Sequence, residues 1–374
     1  MIRHAKLLIC SAPLSLSLAL TSTPALGHDQ VAPAYLPESH APAGVMTDHL
    51  HSQGEWMVGY RYMREEFSGI YRGSDKTSSA ALNAAGFSMM PTGMTMEMHM
   101  LDIMYAVNDN LTLMFMPQTM SMDMTMAMTE GSHIHGDSAM AGMDGGMGDM
   151  SGMDGMGEMD HSMEMHGSHS HGTSGTGDTI FAGLFRLAND ADYNLHATLG
   201  ISAPTGNVDL KNADGTFVHY GMQLGTGTWD LMPSITYTSG RNSLSWGAQG
   251  SARLPIQEEN DSGFQFGERY SATAWSAYRL ADWVSVSARL GYTKQHDING
   301  HYNGPHNHSS PSDLQANYGG EFVEAAVGAN LVPQTGALAG VRLGLEWTSN
   351  LAAHYNGYQL GRENGLNMSL GYAF

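Results

Sequence analysis

The chain ends on a strict alternation. Leu366, Met368, Leu370, Tyr372 and Phe374 fall on one side, and Asn367, Ser369 and Gly371 on the other. A period of two is the mark of a strand with one apolar face. It recurs in Trp56, Val58, Tyr60 and Tyr62, in Leu244, Trp246 and Ala248, in Val284, Val286, Ala288, Leu290 and Tyr292, and in Val341, Leu343, Leu345 and Trp347. After the first 27 residues no apolar run reaches 18, so the sequence offers no transmembrane helix.

A soluble β-sandwich would alternate in the same way. Three features favour a membrane barrel. Aromatics gather near strand ends, connections alternate between short and long, and the terminal residue is a phenylalanine closing an alternating strand. The predicted fold class is therefore all-β, a transmembrane antiparallel β-barrel of about 12 strands. The predicted strands are 55–64, 95–106, 111–127, 178–188, 193–203, 221–239, 243–255, 266–280, 283–296, 320–332, 340–349 and 364–374. Short turns belong to the periplasm and long loops to the outside. The long loops are 65–94, 128–177, 204–220, 256–265, 297–319 and 350–363.

Residues 1–27 read as a signal peptide, with Arg3 and Lys6 before an apolar run and Ala25-Leu26-Gly27 as small residues for cleavage. Cys10, the only cysteine, lies within it, so the mature chain would hold neither disulfide nor thiolate site. Residues 28–54, rich in Pro, Ala and His, read as an irregular periplasmic arm. Its Met46, His49 and His51 are metal-ligand types in what is as readily a tether. The barrel occupies 55–374. The expected destination is the outer membrane of a Gram-negative cell, with membrane lipid and the outer-membrane assembly machinery as partners.

The second external loop, 128–177, is chemically distinct. Methionine recurs at Met140, Met143, Met147, Met150, Met153, Met156, Met159, Met163 and Met165, joined by His133, His135, His161, His166, His169 and His171. The residues between are mostly Gly, Asp and Ser, and glycine inside a helix costs roughly 1 kcal/mol relative to alanine, which argues against a core helix. A disordered spacer remains the plain alternative. Thioethers are soft donors that prefer Cu(I), and Ag(I) by the same argument, while imidazole extends the range to Cu(II). The loop is therefore a candidate site for soft metal ions, with copper as the expected ion. From Thr77 through Phe185 there is no Lys or Arg, within a chain of net charge −20. Such a field gathers cations and argues against nucleic acid, whose phosphates need basic residues. The fifth loop carries a smaller cluster, His296, His301, His306 and His308.

Parity adds a further expectation. Leu111, Leu113 and Phe115 suit lipid, and Asp102 should avoid it. Met96, Met98, Met100 and Met104 would then face inward together with Met114, Met116, Met120, Met122, Met124 and Met126, provided that no bulge intervenes.

The segments APAGVMTDHLHSQGEWMVGYRYM, TMEMHM, NDNLTLMFMP, GISAPTGNVD, QLGTGTWDLMPSITY and ADWVSVSARLGY resemble a group of proteobacterial outer-membrane transporter proteins. That group is placed with the meta-pathway phenol-degradation (MetA-type) family. The resemblance spans nearly all of the mature chain and implies an outer-membrane β-barrel. MDHSMEMH, in the second loop, is similar to motifs of copper-resistance outer-membrane proteins. Two functions follow. One is a barrel that binds or transports copper or silver through its Met/His loop. The other is a passive channel for small organic, including aromatic, solutes. No nucleophile elbow or base–orienter pattern marks an enzyme.

Overall fold

The computed structural model describes residues 36–132, 169–190, 192–336 and 338–374. Antiparallel strands close on themselves in one sheet. They are β1 (Trp56–Gly73), β2 (Met89–Asn108), β3 (111–128), β4 (169–189), β5 (Tyr193–Ala203), β6 (Asp230–Arg241), β7 (Leu244–Pro255), β8 (Arg269–Ala281), β9 (Val284–Gln295) and β10 (Gly320–Leu331), followed by the 33-residue stretch Val341–Ala373. That stretch crosses twice. Its first part pairs with β10 from Leu343 to Tyr355, and its second with β1 from Tyr355 to Ala373. We call the two crossings β11 (341–355) and β12 (358–373), which makes twelve.

The seam is closed at its base by reciprocal backbone bonds, Trp56 N to Phe374 O at 2.9 Å and Phe374 N to Trp56 O at 2.8 Å. The terminal phenylalanine thus completes the ring. Outward positions carry Leu101, Leu113, Phe115, Phe181, Leu199, Ile235, Leu290 and Val327, all exposed. This is the inverse of a soluble sandwich, and it is stable only because lipid covers the outer face. Trp56, Tyr372, Phe374, Tyr278 and Trp283 crowd the periplasmic rim and are exposed as well.

The strands rise higher than alternation alone suggested. β1 continues to Gly73 and β2 starts at Met89, so the first external loop is short and carries a six-residue helix, Ser79–Ala84, capped by the Ser78 side chain. The sixth loop, expected over 350–363, is a strand hairpin turning at Asn356-Gly357, where Gly357 has φ 58°. Polar residues conceal both extensions, because above the bilayer an outward face no longer needs to be apolar. The sixth strand, in contrast, starts at Asp230 and not at 221. The preceding residues fold inward as a loop, with Tyr220–Met222 a short 3-10 turn. Gly225 permits this, since a Cβ there would lie 2.3 Å from an Asp178 carboxylate oxygen.

The lumen is filled from below. Residues 36–54, with a single 3-10 turn at Pro37–Ser39, lie inside the barrel and not beneath it. Ala41, Ala43 and Val45 are almost fully buried, with Ala41 and Val45 clustered against Trp275. A proline-rich segment cannot satisfy itself by regular structure, so inward side chains do so. Arg61 donates to Ala43 O (3.1 Å) and Val45 O (3.2 Å), Gln249 to Met46 O, His196 to Thr47 O and Asn330 to His40 O.

Candidate functional site

Three features line the interior from top to bottom. At the external mouth the third, fourth and fifth loops meet in an aromatic cap. Tyr302 stacks on both Phe217 and Tyr220 at 4.2 Å, and Phe264 stands edge-on to Tyr220 and Tyr302. The Tyr302 hydroxyl donates to Val218 O and accepts from Gln223, and burial pushes its phenol well above the usual range.

Below the cap runs a wall of thioethers. Register explains it. Met104 pairs with Met114, Met100 with Gln118, Met98 with Met120, Met96 with Met122 and Met94 with Met124. The residue sum is the same throughout, so Pro117 interrupts hydrogen bonding without shifting β3. Inward parity therefore holds to the top. Met100, Met104, Met114, Met116, Met122, Met124 and Met126 are buried, while Leu101, Leu113 and Phe115 face out. Met57 of β1 joins the lower cluster with Ile180 and Leu184, and Met222 joins the upper one. The outward neighbours Glu97 and His99 are held by Tyr62 and Tyr60, so they present hydrogen-bonded polar groups at the rim.

Elsewhere the wall is charged. Arg289 bridges Glu346 (2.8 Å) and Glu324 (2.6 Å), Arg362 reaches Glu324 and Glu65, Arg253 ties Asp230 to Asp178, and Arg61 pairs with buried Asp102 at 2.9 Å. Arg61, Arg253 and Arg289 occupy the positions that alternate with the apolar set. Alternation does not show which carboxylates on neighbouring strands they meet.

Of the predicted metal residues, His133, His135, Met140, Met143, Met147, Met150, Met153, Met156, Met159, His161, Met163, Met165 and His166 lie outside the described residues. His169 and His171 begin β4, opposite Met126 and Met124. His171 meets His219 with ring centroids 5.2 Å apart, and His219 Nδ1 is 2.6 Å from Asp313. The base of the loop thus places imidazole over the thioether wall. Sequence reading passed over His219, for nothing near it in the chain signals a ligand. In the fifth loop His306 and His308 meet edge to face with centroids 4.6 Å apart, while His296 sits beside Glu268.

A closed ring of twelve antiparallel strands, lipophilic outside and polar or thioether-lined within, defines an outer-membrane-type β-barrel with a filled lumen. The chain belongs to the family described as "Putative MetA-pathway of phenol degradation", which matches residues 110–322. In fold it is similar to an outer membrane channel from Pseudomonas putida F1, with TM-score 0.54 and 18% identity over 88% of this chain and 99% of that one. Looser likenesses are to OmpT of Vibrio cholerae (TM-score 0.32, 13% identity, 87% and 99% covered) and a FadL homologue of Pseudomonas aeruginosa (0.37, 10%, 85% and 89%). Neither of these carries an argument. The curated proteins gave no match.

Proposed function

We propose that the protein is an outer-membrane channel for small organic solutes, aromatic ones included, and not an enzyme. On this reading residues 1–27 export it, and the assembly machinery inserts it through its terminal strand. The observation that carries the proposal is the two-sided lumen. A thioether arc on β1–β4 suits an aromatic ring through sulfur–aromatic contact, and a separate arc of arginine–carboxylate pairs suits a hydroxyl or carboxylate. The family description and the channel from Pseudomonas putida F1 support the same reading. Vesicles carrying the full chain are expected to take up a phenol-sized aromatic several-fold faster than empty vesicles, with a sugar of equal mass lagging behind. Equal aromatic uptake in both vesicle types would sink the proposal.

A second reading rests on the contact of His171 with His219, His171 being paired opposite Met124 in the cluster of Met122, Met124 and Met126. Copper or silver would be gathered by the Met/His loop from His133 to His171 and passed to the thioether wall. A peptide of that loop is expected to bind several Ag(I) ions and to ignore Mg(II). Binding no tighter than that of a scrambled Gly/Ser/Asp peptide would end the metal reading. Growth of a deletion strain in graded copper and silver, set against growth on aromatic carbon sources, separates the two functions.

A further inference from the structure

The buried arm holds a cluster that neither function uses. His40, Asp48 and His49 offer ligand atoms that all lie within 4.8 Å of one another. His51 extends the row, with ring centroids 4.9 Å apart for His40–His49 and 4.8 Å for His49–His51. The chain is forced into this arrangement at Thr47, a β-branched residue at φ 55°, where such a residue is strained. Its carbonyl is held there by His196 at 2.8 Å.

Hydrogen bonds fix which atoms are available. His49 Nδ1 is 2.9 Å from Asp48 Oδ1, and His51 Nδ1 is 3.2 Å from Glu55 Oε1. An imidazole donating Nδ1–H to a carboxylate turns the Nε2 lone pair outward, the arrangement that orients metal-bound histidines. His51 is 5% exposed, and its Nε2 has no hydrogen-bond partner among the described residues. A buried acceptor left in that state costs free energy unless something fills it. The spacing fits an ion. With Zn–N near 2.0–2.1 Å and a tetrahedral angle, two imidazoles on one metal have centroids about 5 Å apart. Arg342 already donates to His40 Nδ1 at 2.6 Å, so His40 stands beside the site and does not ligate through that atom.

His49 and His51 both line a cavity of about 430 Å³ at the periplasmic end, together with Glu55, Met57, Arg61, Asp102 and Arg342. His40, Asp48 and His49 also line a smaller cavity of about 160 Å³ with His196 and Trp275. The arm segment therefore forms the partition between the two spaces. We propose that His49 and His51, oriented by Asp48 and Glu55, bind one divalent ion of the Zn(II) or Cu(II) class and thereby pin the arm in the barrel. Imidazole with water completing the shell suits these borderline ions and not Mg(II) or Ca(II). The site is separate from the strand ends that flank the Met/His loop, at the opposite end of β3 and β4.

The test uses the full-length barrel folded in detergent. After Zn(II) loading and desalting, the unmodified chain is expected to retain one more ion than the His49→Ala/His51→Ala variant, since the loop contributes equally to both. Cu(II) loading should add an electron paramagnetic resonance signal with hyperfine structure from two nitrogens, and the variant should lack it. Equal stoichiometry in two heat-modifiable barrels would overturn the proposal. Should the variant fail to fold, the unmodified protein still decides. Zn(II) is expected to slow proteolytic cleavage within 36–54 at least several-fold, and an unchanged rate would overturn the proposal as well.

Discussion

Single residues in the arm couple its docking to protons. Burial, with His49 alongside, pushes the His51 imidazole down to about 4 against the pull of Glu55 and Asp48. Burial would raise the Asp48 carboxyl, but His49, Arg342 and His40 outweigh it and hold the group well below the ordinary range. Arg61, Asp102 and Arg342 face the same space from the strands. A released His51 would titrate near 6.5. Its folded value is the lower one, so its contribution to docking is complete above about 6.5 and lost as pH falls through about 4. Asp48 acts in the same direction at still lower pH. Proteolytic cleavage of the arm is therefore expected to accelerate steadily from pH 6.5 to 4, with a flatter profile in His51→Asn. A rate independent of pH across that window would count against a neutral, buried His51.

At the level of elements, strand register decides what the methionines are for. In β2 and β3 one residue of slippage would exchange every thioether for its outward neighbour. Because the pairing is unbroken from Met104–Met114 to Met94–Met124, cysteines at 100 and 114 should resist a lipid-soluble thiol reagent, and cysteines at 101 and 113 should react with it. The reverse pattern would turn the thioethers toward lipid and overturn the inward assignment. Leucine at 122, 124 and 126 is nearly isosteric with methionine and should cost less than about 1.5 kcal/mol per site. The triple variant is expected to fold and to admit aromatics, yet to bind fewer Ag(I) ions than the unmodified chain. An unchanged Ag(I) stoichiometry would assign the metal to the loop alone.

For the whole molecule, the barrel and its contents are separable. The ring is closed by strand pairing and by Trp56–Phe374, whereas residues 36–54 are held by inward side chains. Deleting 36–54 should leave a heat-modifiable barrel whose single-channel conductance rises several-fold, because Arg61, Asn330 and Gln249 would then face water. Unchanged conductance would show that the aromatic cap of Phe217, Tyr220 and Tyr302 sets the resistance. Gly44 shows how closely the arm is fitted, since a Cβ there would come within 2.9 Å of Arg289 Nη2.

Period-two alternation, taken with aromatic strand ends, alternating loop lengths and the terminal phenylalanine, pointed to an antiparallel membrane barrel of about twelve strands with its methionines facing inward. Those properties are local, since each depends only on which neighbours along the strand lipid will accept. Alternation placed strand ends poorly where the outward face leaves the bilayer, as in β1, β2 and the Asn356–Gly357 hairpin. Composition marked residues 133–171 only as a candidate for soft metals, because donor type is a property of the side chain alone. It marked the arm as irregular and Met46, His49 and His51 as ligand types, without a place for them. That the arm fills the lumen, that His51 comes to lie in the row with His40 and His49, and that His219 meets His171 are long-range facts. They rest on groups brought together from separate strands and loops, such as Arg342 with His40 or Asp313 with His219. Assembly of the barrel brings those groups within reach.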